Sequence, residues 1–261
     1  MLGDLLLMPF VAGLLITGVL GLAGAGLFLR GSVWQALALG QWAAVGGVLA
    51  SVLHWPVLLV ALVLGTGVMA LLQRSTDRER LPLGVFLAGL AAVTLLAANF
   101  SQASLAAAAW AEGQLYFAGP NELWAVAVLA VASILLAPGL YRVWRHAQLA
   151  PDVPATRPPP TWQRLTEISW LVAAVVLGSM VLGLPAALAT LLLPAWGAAY
   201  LARNLRGLFL WTQAIALAGF LIAWSLSLPL DQPFAPVLVL VNVALASGAR
   251  LAASVYGERN R

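Results

Sequence analysis

Few side chains here can do chemistry, and the useful ones cluster in three places. The stretch "WQALALGQWAAVGGVLA" carries two amides, Gln35 and Gln41, with Trp42 beside the second. A buried amide inside an apolar run faces protein or a cavity, so these three are candidates for a solute path. The same run is dense in small residues: Ala36, Ala38, Gly40, Ala43, Ala44, Gly46 and Gly47. That composition fits a tightly packed central helix equally well. His54, before Trp55 and Pro56, is either an interfacial histidine or a metal ligand. Glu112 and Glu122 are either solvated loop acids or groups that receive a docking protein or attract cations. The segment "PAWGAAYLARNLRGL" runs from an apolar face into Arg203 and Arg206. It reads as ordinary basic anchoring or as a short surface helix that docks into a partner.

Other chemistry is missing from the sequence. All thirteen basic residues are arginines, so the lysine of a Gly-x-x-x-x-Gly-Lys-Ser/Thr phosphate loop has no counterpart. With no cysteine, disulfides, thiolate metal sites and thiol nucleophiles are excluded. His-Glu-x-x-His and Gly-x-Ser-x-Gly do not occur. The stretch "GLAGAG", Gly21 to Gly26, has the look of a dinucleotide loop but lies in an apolar run with no strand before it. Close helix packing explains it better.

The elements that hold these groups are membrane spans. Of 261 residues, 62% are apolar and 8% charged, against about 25% charged in soluble domains. A helix crosses a bilayer of roughly 30 Å in about 20 residues. Spans are predicted near 5–29, 34–54, 56–73, 82–98, 122–141, 165–182, 186–200, 208–228 and 234–249. The first lacks a basic leader and reads as a retained span, not a cleaved signal. Arg30, then Arg74, Arg78 and Arg80, then Arg142, Arg145, Arg157 and Arg164, then Arg203 and Arg206, then Arg250, Arg259 and Arg261 all fall on one side of this zigzag. The positive-inside rule places that side in the cytoplasm, with the N-terminus outside and the C-terminus inside. Arg164 and Arg203 must share a side, so the chain between them crosses twice or turns back within the membrane. Pro185 and Pro194 predict a short, proline-broken helix pair there. The connection 99–121 is predicted to lie in or dip into the interface, with Trp110, Tyr116 and Phe117 at headgroup level. The stretch 142–164 is predicted as a proline-rich cytoplasmic loop. The fold class is thus all-α, a polytopic bundle of eight or nine spans in one membrane domain, 1–261. A pI of about 10.3 comes from arginines scattered at helix ends, so nucleic acid is not the partner; the bilayer is.

Three segments resemble the permease subunits of bacterial ABC importers for zinc and manganese. "LGLPAALATLLLPAWGAAYLARNLRGLF", Leu182 to Phe209, is similar to the family's run into a Pro-Ala-x-x-Ala motif followed by arginines, matched by Pro194, Ala195 and Ala198. "GQLYFAGPNELWAVAVL", Gly113 to Leu129, is similar to a Leu-Phe-Gly segment entering a span, and the third likeness is the second span beside Arg30. The resemblance implies a non-catalytic subunit of the bacterial cytoplasmic membrane that forms a homodimer with a second permease chain. It implies two ABC ATPase subunits below, binding ATP and Mg, and an extracytoplasmic binding protein above, with no cofactor in this chain. It makes 195–207 a coupling helix, with Pro194, Ala195, Ala198, Arg203 and Arg206 contacting the ATPase. In the family the second span carries an aspartate and, four residues on, a histidine that hold the metal. Those positions are Leu37 and Gln41 here, so the cargo is expected to be a divalent metal, a metal chelate or another solute. A stand-alone transporter or channel without an ATPase is the reading from a different class.

Overall fold

The computed structural model describes residues 2–31, 33–75, 77, 79–149 and 160–259. Ten α-helices and one 3-10 turn follow in order: α1 (Leu2–Arg30), α2 (Val33–Leu53), α3 (Val57–Arg74), α4 (Arg80–Asn99), α5 (Ser101–Glu112), the turn Leu115–Phe117, α6 (Pro120–Leu149), α7 (Thr161–Leu182), α8 (Leu184–Leu201), α9 (Leu205–Ser227) and α10 (Phe234–Arg259). Among the described residues, all but α5 are long and apolar enough to cross a membrane, giving nine candidate spans. Nine alternating crossings bring Arg30, Arg74, Arg80, Arg142, Arg145, Arg164, Arg203, Arg206 and Arg250 to one end of the bundle, here the arginine end.

Lipid accepts apolar surface on every side, so burial here is decided by small residues that let backbones approach. Two thirds of α2 and α7 are buried inside the protein, but only about a tenth of α4. α2 and α7 form the centre, and α4 lies at the rim. On α2, a side chain at Gly46 would sit 2.5 Å from the Cα of Ala61 in α3. The Gly21–Gly26 stretch does the same for α1. A Cβ at Gly24 would meet the Leu191 carbonyl of α8 at 1.9 Å, and one at Gly26 would meet the Trp144 ring at 2.4 Å. Close packing, not nucleotide binding, accounts for those glycines.

Three expectations need correction. First, the chain between Arg164 and Arg203 crosses twice, but no proline break divides it. α8 is one helix of 18 residues. Pro185 falls in its first turn, where the missing N–H would have had no partner anyway. Pro194 is buried inside α8 among neighbouring helices, which is where membrane helices tolerate proline. Second, the proline-rich loop is shorter than 142–164. α6 is 30 residues long, about 45 Å at 1.5 Å per residue, so it outruns the bilayer and carries Arg142 and Arg145 on its last turns. Residues 150–159, including Arg157, lie outside the described residues. Third, Trp110 is buried inside the protein instead of facing the surroundings. α5 folds back against α2, and the Trp110 ring fills the space left by Gly47, whose Cβ would lie 2.0 Å from it. Tyr116 is half-buried, its hydroxyl 2.8 Å from Ser227 Oγ. Phe117 alone of the three is fully out, at 87% exposure.

At the end opposite the arginines, two turns touch backbone to backbone. Gly113 ends α5 with φ +80°, and Gly183 joins α7 to α8 with φ +89°. A Cβ on Gly113 would lie 2.5 Å from the amide nitrogen of Gly183. Left-handed φ and a close approach both demand glycine at these positions.

At the arginine end, Asp77 organises the link from α3 to α4. Its Oδ1 accepts from the amides of Arg80 at 2.9 Å and Glu79 at 3.0 Å. Those bonds, Arg80's first, hold its carboxyl below the usual aspartate range. A carboxylate depressed in the folded state stabilises it above the unfolded value of about 3.9, and the benefit disappears as pH falls through the lower folded value. We expect Asp77→Ala to speed hydrogen exchange of the Glu79 and Arg80 amides at pH 7. The difference from the native chain should vanish only in strong acid. Equal exchange at pH 7 would show that the bonds do not order this turn.

Candidate functional site

Of the candidate path residues, Gln41 and Trp42 lie together and Gln35 lies apart. Gln41 is buried at 6% exposure, and its Cγ would be 2.9 Å from a Cβ on Gly89 of α4. Trp42 donates its indole N–H to the Val85 carbonyl of α4 at 2.8 Å. Gln35, six residues back and about 120° around the helix, is half-buried near the arginine end. The Gln41–Trp42 pair therefore fastens central α2 to peripheral α4 within one chain. Leu37 and Gln41 share a face at i, i+4. No group of three or more His, Asp or Glu that could hold a metal occurs among the described residues.

His54 and Glu122 have structural work. His54 adopts φ +56° as the left-handed cap of α2, and the amide of Trp55 reaches back to the Ala50 carbonyl at 3.0 Å. Glu122 Oε2 accepts from the Gly119 amide at 2.9 Å, bracing the start of α6. Glu122 also lines a cavity of about 390 Å³ at the end opposite the arginines, with Gly47, Ser51, Trp110, Gln114 and Met180. Glu112 is exposed at the end of α5.

The segment 195–207 is not one helix. It is the last turns of α8, a break at Ala202–Asn204, and the first turn of α9. The apolar residues up to Leu201 belong to the span. The break then comes where Asn204 caps α9, its Oδ1 accepting from the Gly207 amide at 2.7 Å. Pro194, Ala195 and Ala198 are buried inside α8. Gly197 lets α10 approach, since a Cβ there would lie 2.9 Å from the Cα of Ala246. Arg203 and Arg206 are exposed on the turn. The expected contact set thus divides into an exposed basic turn and a packed helix that carries it.

Sequence reasoning also missed a polar centre at the arginine end. Glu167 of α7 is about 4% exposed, a carboxyl side chain inside a span. Its Oε2 accepts from Arg30 of α1 at 2.5 Å, and its Oε1 accepts from the Trp144 indole N–H of α6 at 2.6 Å. Trp144 in turn stacks on Phe209 of α9, ring centroids 5.5 Å apart and 17° from parallel. Glu167 was visible as a rare acid within a span, but a partner 137 residues away was not.

The ABC 3 transport family matches residues 3–252 of this sequence. The chain belongs to the ABC 3 transport family. It is a permease of an ABC transporter, and its nine-span bundle is this family's fold. PsaBC from Streptococcus pneumoniae, solved in complex with Fab, superposes with a TM-score of 0.78 over 92% of the permease and 89% of that chain, at 15% identity. A transporter described as of the metal-chelate ABC type, in an inward-facing conformation, superposes with a TM-score of 0.61 over 92% of the permease and 84% of that chain, at 19% identity. At such identities the likeness is one of fold. No curated protein sequence matches the permease.

Proposed function

We propose that this permease is the membrane-spanning subunit of a binding-protein-dependent importer in a bacterial cytoplasmic membrane, driven by a separate ATPase. The observation that carries the reading is the exposed Arg203–Arg206 turn between α8 and α9 at the arginine end. By the positive-inside rule that end faces the cytoplasm, where the ATPase subunits lie. Two ATPase chains would bind ATP and Mg, and a second permease copy would complete the pathway. A binding protein would deliver cargo at the opposite end. The permease itself would catalyse nothing. ATP binding would draw the ATPase pair together, move the basic turn, and shift the bundle between two states. Such a shift needs cargo or nucleotide to have different affinity for each state.

The resemblance favours a divalent metal cargo. A second reading, the metal carried as a chelate, is favoured by one observation: Leu37 and Gln41 offer only a neutral amide where a carboxylate and an imidazole would hold a bare ion. The structural likeness to a metal-chelate type transporter agrees with it. Cargo-stimulated ATP hydrolysis in proteoliposomes, with zinc, manganese and metal chelates in turn, separates the readings. For the chelate reading, Gln41→Ala should leave any response to free zinc intact. A zinc response abolished by Gln41→Ala would mark that amide as a ligand and defeat it.

A further inference from the structure

We propose that Trp144 relays motion of the Arg203–Arg206 turn to a latch formed by Arg30 and Glu167. The inference rests on the reading of that turn as the ATPase contact. Phe209 lies one turn into α9, three residues beyond Arg206, and its ring stacks on Trp144. Trp144 has no room to yield sideways: Gly26 of α1 gives way to it, and Trp170 of α7 lies 6.1 Å from it, centroid to centroid. Trp170 is itself fixed by donating to Ser133 Oγ of α6 at 2.7 Å. Displacing Phe209 therefore moves the Trp144 indole, and the indole N–H moves against Glu167 Oε1.

Glu167 joins three helices through its two oxygens. Oε1 holds α6 through Trp144, and Oε2 holds α1 through Arg30. A carboxylate buried at the end of a span persists only while such partners satisfy it. Intact, the arrangement clamps α1, α6 and α7 at the arginine end; with the indole withdrawn, Glu167 loses one of its donors and the clamp loosens. Trp144 and Glu167 are positioning residues, acting through the turn and the helices, not on cargo.

Three variants dissect the relay in the assembled transporter in proteoliposomes. Trp144→Phe keeps a ring for stacking and removes the N–H. Glu167→Gln keeps an acceptor for the indole and removes the charge facing Arg30. Phe209→Leu removes the stack and leaves the latch. Losing a hydrogen bond to a charged group shifts the latched-to-released ratio about ten- to a hundredfold. We expect cargo taken up per ATP hydrolysed to fall about tenfold or more in each. A merely structural role would instead lower uptake and hydrolysis together and leave their ratio alone.

The second measurement needs none of these variants. The chain has no cysteine, so cysteines introduced for Phe28 of α1 and Leu165 of α7, both exposed, are its only spin-labelling sites. With labelled permease diluted in unlabelled copies, the α1–α7 distance should differ between ADP-bound and ATP-trapped transporter. The same distance in both states overturns the latch, as does an unchanged uptake-to-hydrolysis ratio in the variants. If the ATPase fails to co-purify with the unmodified permease, the docking reading itself falls. If it co-purifies and the variants stay coupled, only the relay falls.

Discussion

We expect replacement of both Arg203 and Arg206 by Glu to abolish co-purification of the ATPase and, with it, cargo uptake. The turn is exposed and its fold is set by Asn204, Leu208 and the span above it. Surface substitutions of this kind change stability by no more than about 0.5 kcal/mol, so the permease should still purify as a folded protein. The effect falls on association. Placing like charges across an interface built for opposite ones costs several kcal/mol, and each 1.4 kcal/mol is a factor of ten in affinity. A loss of at least about a hundredfold follows from about 3 kcal/mol. Binding of the ATPase and uptake at native levels in this double variant would remove the turn from any role in coupling.

The second large effect is on stability. Gly24→Leu should disrupt the α1–α8 contact, because even the first carbon of a side chain would lie 1.9 Å from the Leu191 carbonyl oxygen. The obstacle is backbone, which cannot turn aside as a side chain can. Overpacking a closed interior costs about 1–3 kcal/mol and more where helices must part. Gly18 supplies the control on the same helix. Nothing lies within 4 Å of a Cβ built there, so Gly18→Ala should be neutral to mildly stabilising, by at most about 1 kcal/mol. Thermal unfolding in detergent reads both. Equal melting temperatures for the Gly24→Leu and native chains would mean that α1 and α8 are not held at this distance.

The spans were legible because bilayer thickness fixes their length and arginine marks one face. Predicted segments such as 34–54 and 208–228 lie within a few residues of α2 and α9. Helix ends were harder. α6 continues past the bilayer because it runs through the Pro138–Gly139 pair that would suggest a turn, and Arg142, Trp144, Arg145 and Gln148 beyond it all suit a helix. The expected break between Arg164 and Arg203 has the converse cause: two prolines suggested it, yet one fits a helix start and the other a packed interior. Contacts between distant segments were out of reach. Hydrophobic patterning says little about which face packs when lipid is also apolar, so the meeting of Arg30, Trp144 and Glu167 left no periodic trace. The glycines were the better guide, since Gly21 to Gly26 and Gly46–Gly47 marked close approaches that the helices do make.

The abutting bends at Gly113 and Gly183 tie the mobility of α5 to that of another part of the bundle. Because α5 ends with its backbone against the tip of the α7–α8 hairpin, neither turn can move towards the other. A tilt of the hairpin towards α5 would press on α5, whose Trp110 lines the cavity at this end with Gln114 and Glu122.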